Sequence, residues 1–237
     1  MSNEFVMRDF FTQVGDRKVP GSIWTPRDVK ESLAVVFVGH GGSGHKKSQL
    51  VLDIVDALLL NSQFAVVAID GPVHGDRRSV FMDGPEVRQE FRELWASGLS
   101  IDPMVEDWKS CIEYVSGLPE IDSNRMGWYG ISMGTAYGIP VVAAEPRLKA
   151  ASLGMWGTCR PPTERLVAEA KKISVPVLFQ VKDGDEIFTS IGQQDLYNNL
   201  SSKEKNYQNY PGGHTDPKDQ QLSDIVQFLS QHLLKSQ

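Results

Sequence analysis

Cysteine is scarce in this chain. Of 237 residues only Cys111 and Cys159 are cysteines, and they stand in no metal-like spacing. A disulfide scaffold and a structural zinc site are therefore not expected, and each cysteine reads as a small buried apolar side chain. Positive charge is in the minority: 24 Lys and Arg face 30 Asp and Glu, the net charge is −6, and the basic residues are scattered. This excludes the basic footprint that a nucleic-acid partner requires. No segment approaches the roughly 20 apolar residues that span a bilayer. The start, MSNEFVMRDFF, carries acids and has no uninterrupted apolar stretch that a secretory signal needs. A cytoplasmic setting without membrane association is expected. Internal repeats, low-complexity tracts and long linkers are also missing, so residues 1–237 are expected to form a single domain. Nothing in the sequence bears on oligomeric state.

What is present is an alternation of strand-like and helix-like segments. FVMRDFFTQV and VPGSIWTP, separated by the polar GDRK, read as an antiparallel hairpin. Apolar runs follow at Ala34 to Val38, Ala65 to Ile69, Met126 to Tyr129, Ala150 to Leu153 and Val175 to Val181, separated by segments of helical period. That order predicts an α/β fold with a parallel sheet. Helical stripes recur at Leu50, Ile54 and Leu58, at Val105, Trp108, Ile112 and Val115, and at Leu222, Ile225, Val226, Leu229 and Leu233. Asp216 and Pro217 suit the N-cap and first position of that last helix. Arg77 to Ser100 is the least regular stretch, rich in charge, and reads as a loop or small excursion over a site.

Two glycine-rich turns carry chemistry. The first, Gly39-His40-Gly41-Gly42-Ser43-Gly44, follows a strand and satisfies the G-x-G-x-x-G spacing of a dinucleotide-binding turn. The second, Gly130-Ile131-Ser132-Met133-Gly134, stands between a short strand and a helical stretch, the context of a G-x-S-x-G nucleophile elbow. A serine on so tight a turn needs tiny residues two positions either side, and Gly130 and Gly134 meet that need. The turn also aims the Met133 N–H at the space beside the hydroxyl. A serine nucleophile requires a base and an acid to orient it, downstream in the order acid, then histidine. YPGGHTDP places His214 on a glycine-rich loop, and the turn after VPVLFQV carries Asp183, Asp185 and Glu186.

On these residues the chain resembles the α/β-hydrolase superfamily, from Ala34 to His232. The run DWKSCIEYVSGLPEIDSNRMGWYGISMG is most similar to its dienelactone hydrolases and prolyl-oligopeptidase-related esterases. Two departures stand out: dienelactone hydrolases proper use cysteine where this chain has Ser132, and the large extra domain of the peptidases is not expected in these 237 residues. The resemblance implies a mostly parallel central sheet with an N-terminal antiparallel hairpin, helices on both faces and a minimal cap. Aligned on KDGDEIF, Asp185 rather than Asp183 takes the place of the family's acid, although Lys182 stands where a glycine is usual. The resemblance also implies an oxyanion hole made by the N–H groups of Gly42 and Met133. Ser132, Asp185 and His214 are then the catalytic residues of a serine hydrolase cleaving small-to-medium esters, lactones or thioesters, with a small-molecule ester as its partner and no cofactor or metal. Gly41, His74 and Trp156 are candidate pocket residues.

Blander readings stand beside these. His40 reads as a hydrogen-bonder within its own loop. His74 either lines the pocket or ties down a loop, Trp156 is either pocket wall or core, and His232 is a solvated helix residue. Two other function classes stand beside this one: a catalytically silent hydrolase-fold binding protein, which would share every strand and helix, and a nicotinamide oxidoreductase, which would bind its cofactor at the first glycine-rich turn. Against the second stand the polar residues His45 to Ser48 where a Rossmann helix packs on its sheet, and a Ser, acid, His order that a dehydrogenase does not need. His45 in place of lysine rules out a Walker A loop.

Overall fold

The computed structural model describes residues 5–60 and 63–234. Phe5–Val14 (β1) and Arg17–Pro26 (β2) pair antiparallel across a two-residue turn in which Gly15 takes a positive φ of 54°. The sheet continues through Leu33–Gly39 (β3), Phe64–Ile69 (β4), Ile121–Gly130 (β5), Leu148–Gly154 (β6), Val177–Lys182 (β7) and Lys205–Tyr210 (β8). Its order is β1-β2-β4-β3-β5-β6-β7-β8. β2 runs antiparallel to β4, and the remaining neighbours are parallel. This is the α/β-hydrolase architecture.

β3 and β4 are buried along their whole length because helices cover both faces of the sheet. Gln49–Leu59 (α1) and Asp219–Leu233 (α7) pack on one face with Val36, Tyr129 and Ala150. Ile101–Ser116 (α3) and Met133–Ala144 (α4) pack on the other with Phe37, Trp128 and Ala151. α4 is buried on all sides from Met133 to Val142, as its uniformly apolar sequence requires. The chain leaves β3 for β4 on one side and pairs it with β5 on the other, which makes the carboxyl ends of β3 and β5 the switch point where open α/β sheets hold ligands. Gly39 and Gly130 lie directly opposite each other there.

The structure departs from the sequence reading in several places. The stretch expected as irregular contains a helix, Pro85–Ala96 (α2), whose Val87, Phe91 and Trp95 form a buried stripe at four-residue spacing. Its charged residues hide that period in the sequence. Helix α7 starts at Asp219, with Lys218 extended at the cap position, rather than at Pro217. Lys182 Nζ holds Thr215 Oγ1 at 2.9 Å and Asp216 O at 3.4 Å, keeping this stretch on β7. β8 has no apolar run, since it is an edge strand whose Tyr207 alone stacks on Phe179. Cys111 is buried as expected, but Cys159 is exposed. His232 is mostly covered, packed on Phe228 and 3.4 Å from Glu204. The segment after β6 holds only Thr163–Ala170 (α5), and Ser190–Asn198 (α6) follows β7.

Candidate active site

Ser132 sits between the end of β5 and the start of α4 with φ 54° and ψ −121°. A non-glycine residue in such a conformation costs on the order of 1–3 kcal/mol and persists only where its surroundings over-determine it. Here they do. Ser132 N–H donates to Gly154 O at 3.0 Å, and Ser132 O accepts the N–H groups of Thr135 and Ala136. Thr135 Oγ1 lies 2.7 Å from Gly130 O and 2.6 Å from Gly154 O and accepts Gly154 N–H, bolting the turn to β6. The sequence reading passed over Thr135, which looks like an ordinary helical residue until the strands are in place. The flanking glycines answer a steric demand: a Cβ at Gly130 would lie 2.4 Å from Gly134 O, and one at Gly134 would lie 2.3 Å from Gly39 O.

His214 Nε2 is 2.9 Å from Ser132 Oγ, and His214 Nδ1 is 3.0 Å from Asp185 Oδ2. Asp185 Oδ1 accepts the N–H groups of Ile187 and Phe188 at 2.8 and 2.9 Å, so the carboxylate cannot swing away from the ring. Burial pushes the Asp185 carboxyl up, but hydrogen bonds from His214, Phe188 and Ile187 outweigh it and hold its pKa below the ordinary value. An ionised carboxylate on Nδ1 leaves Nε2 to accept the serine proton. Asp183 does not touch the ring; its Oδ1 accepts Gly212 N–H at 3.1 Å. Glu186 Oε2 accepts the backbone N–H of His214 at 2.9 Å. All three acids of this turn thus position the histidine loop, one through the ring and two through backbone.

The first glycine-rich turn is held by side chains. Gly71 N–H donates to His40 Nε2 at 2.8 Å, which leaves the proton on Nδ1 and makes it the donor to Gly41 O at 2.8 Å. Gly41 O and Gly42 N–H share one planar trans peptide, so fixing the carbonyl fixes the direction of the N–H. His74 Nε2 donates to Gly42 O at 3.1 Å from behind the loop. His74 is fully buried there, so it ties down the loop and does not line the cleft. Burial lowers the pKa of His40 to about 4, and burial with the neighbouring His40 lowers that of His74 to about 3. Both rings are neutral at ordinary pH. At the far end of the loop, Asp70 accepts Lys46 N–H at 2.9 Å, Lys46 Nζ at 2.7 Å and Asp76 N–H at 2.8 Å. Those bonds occupy the carboxylate that a dinucleotide reading reserves for a ribose. α1 begins only at Gln49, so Gly44 does not open a helix as a Rossmann glycine does.

Ser132 and His214 open onto a cleft of about 330 Å³. Gly41, Gly42, Phe91, Trp156 and Phe188 line it, and α2 forms one wall. Among the described residues, neither the Gly42 nor the Met133 N–H is donated to a protein acceptor. Also among the described residues, no group of three or more His, Cys, Asp or Glu is arranged to hold a metal ion, and no helix is long and apolar enough to cross a membrane.

Comparison with known proteins places the fold. Among solved structures, a PEG-bound cold-adapted esterase from an Arctic intertidal metagenomic library shares 29% identity, covering 98% of this chain and 96% of that one, at a TM-score of 0.86. Acetyl xylan esterase 1 from Thermoanaerobacterium sp. JW/SL YS485 shares 19% identity over 99% of this chain and 86% of that one, at a TM-score of 0.71. A dienelactone hydrolase from Anabaena variabilis ATCC 29413 shares 15% identity over 98% and 100% of the two chains, also at 0.71. At these lower identities the likeness is one of fold. No curated protein matches the chain. The sequence profile of the dienelactone hydrolase family matches residues 20–215, most of the chain, and the protein belongs to the dienelactone hydrolase family.

Proposed function

We propose that the protein is a serine hydrolase cleaving carboxylic esters through an acyl-enzyme on Ser132. The observation that carries this reading is the unbroken relay from Ser132 Oγ through His214 to Asp185, with both links at 3.0 Å or less. His214 takes the serine proton as Oγ attacks the ester carbonyl, and the imidazolium that forms is stabilised by Asp185. The developing oxyanion rests on the Gly42 and Met133 N–H groups, the second at the positive end of α4. His214 then protonates the leaving alcohol, and water, activated by the same ring, releases the acid. The chain acts as one domain, its substrate is a small-to-medium ester, lactone or thioester admitted to a cleft without a large lid, and its setting is cytoplasmic.

The test is hydrolysis of p-nitrophenyl acetate and butyrate by the wild type and by Ser132→Ala. The wild type is expected to turn over both, and the variant to lose at least about 10⁴-fold in kcat. A wild type without activity on either ester, or a variant with undiminished activity, defeats the reading. The first outcome favours a silent binding protein; the second moves the nucleophile elsewhere.

A further inference from the structure

Lys182 ends β7 and is buried, with 8% of its surface exposed, in the place where the family ordinarily carries a glycine. Lysine is among the residues least often buried without a charged partner. Its Nζ reaches neutral oxygens here, donating to Thr215 Oγ1 at 2.9 Å and to Asp216 O at 3.4 Å. Burial draws its pKa below the ordinary lysine value, against the opposite pull of the Asp216 and Asp185 charges. A glycine would carry no such cost, so the contacts that this side chain makes have to offset it.

Those contacts fall on the two residues that follow His214. The stretch before the ring is tied to the acid turn: Gly184 N–H donates to Gly212 O at 3.0 Å, Asp183 Oδ1 accepts Gly212 N–H, and Glu186 Oε2 accepts His214 N–H. Past the ring, Thr215 N–H turns back onto Gly213 O at 2.8 Å, inside the loop itself. Among the described residues, Lys182 supplies both hydrogen bonds that Thr215 Oγ1 and Asp216 O accept from another part of the chain. Lys182 O also accepts Asp185 N–H at 3.3 Å, so one residue braces the turn that carries the acid and the loop that carries the base. Thr215 and Asp216 line the cleft beside His214, whereas Lys182 stands behind that wall.

We propose that Lys182 is a positioning residue for the reaction: by clamping the chain just past the ring onto the strand that leads to Asp185, it sets the reach of His214 to Ser132 Oγ. This deepens the ester-cleaving reading above and rests on it. Lys182 touches neither the cleft nor the relay. A single bond from Nδ1 to Asp185 leaves the ring free to pivot about it, and the 2.9 Å approach of Nε2 to Ser132 Oγ requires the backbone on both sides of the ring to be held. A misplacement of about 1 Å in such a geometry costs on the order of 100-fold in rate, so a clamp on the adjoining residue acts on kcat rather than on binding.

The experiment compares Lys182→Met, which keeps the stem and removes Nζ, with Thr215→Val, which removes the main acceptor from an exposed position and leaves the lysine in place. On p-nitrophenyl acetate, kcat is expected to fall about 10- to 100-fold in Lys182→Met and about 10-fold in Thr215→Val, with KM within about threefold of the wild type in both. The double variant is expected to lose less than the product of the two single losses, because both break one contact. Lys182→Arg, which keeps a donor, is expected to recover part of the loss. A second readout needs no substrate: the downfield proton resonance of the His214–Asp185 hydrogen bond, identified by its disappearance in His214→Ala, is expected to broaden or vanish in Lys182→Met and Thr215→Val. If Lys182→Met fails to fold, Thr215→Val carries both readouts. An unchanged kcat, a loss confined to KM, single losses that multiply in the double variant, or a resonance unmoved in both variants overturns the proposal. Should the wild type not hydrolyse the ester, the ester reading fails, and the resonance still decides whether Lys182 holds the ring.

Discussion

The two glycine-rich turns lie side by side at the ends of β3 and β5, and they are held by opposite means. The elbow, Gly130 to Gly134, is fixed mainly by backbone against backbone: its glycines leave no room for a single added carbon, and the neutral side chains of Thr135 and Trp128 donate to its carbonyls at Gly130 and Gly134. The loop from Gly39 to Gly44 is fixed by side chains instead, with His40 and His74 on its carbonyls and the Lys46–Asp70 pair at its far end. A turn held by packing and by neutral side chains has no titrating group among its ties. One held by titratable groups has stability that follows their protonation, and single side chains adjust its geometry.

Substitutions that break one turn and spare the other sharpen this contrast. The largest effect is expected from Asp70→Ala, which leaves the buried Lys46 ammonium with the exposed Asp76 carboxylate alone, unties the Lys46 and Asp76 N–H groups, and costs about 3–5 kcal/mol, measured by chemical denaturation. Next comes Gly134→Ala, where the new Cβ meets Gly39 O; a loss of about 3 kcal/mol is expected, together with most of the esterase activity.

The third concerns acid. His40 titrates at about 4 in the folded protein, below its ordinary value of 6.5. As pH falls the unfolded chain therefore takes up this proton first. The stabilisation is complete above pH 6.5 and is lost progressively toward pH 4, by up to about 3 kcal/mol. The lowered Asp185 pKa acts with the same sign at lower pH, its contribution disappearing as the carboxylate is protonated. A stability profile flat from pH 7 to 4 in the wild type, or unchanged in slope in His40→Asn, contradicts the assignment.

His40→Ala frees the Gly41–Gly42 peptide to rotate, and kcat is expected to fall about 100-fold with KM little changed. His40→Asn, whose amide nitrogen replaces the Nδ1 donor, is expected to recover most of that loss. The smallest effect belongs to Glu186→Gln, which keeps an acceptor for His214 N–H on an exposed side chain; kcat should stay within about fivefold of the wild type.

The same contrast explains what could be read from the sequence. The elbow was legible because its demands are local: strand, two glycines around a serine, then helix. The parallel core and the hairpin were legible because buried strands are apolar runs. His40 was recognisable as a hydrogen-bonder of its loop, but its two partners, one donating and one accepting, appear only once Gly71 is folded beside it. His74 remained ambiguous because one position can serve either the cleft or the loop behind it. β8 and α2 were missed for physical reasons: an edge strand needs no apolar run, and a cap-like helix that presents arginines to a cleft hides its own period. Asp183 and Glu186 were visible as acids, but their acceptor roles toward backbone depend on how the histidine loop closes.

The central claim is that Ser132 is the group that becomes covalently modified. Incubation with a fluorophosphonate probe, proteolysis and mass spectrometry of the peptides test it most directly. The expected result is a single adduct on Ser132, absent from Ser132→Ala and slowed in His214→Ala; an adduct on any other residue, or none in the wild type, contradicts the account.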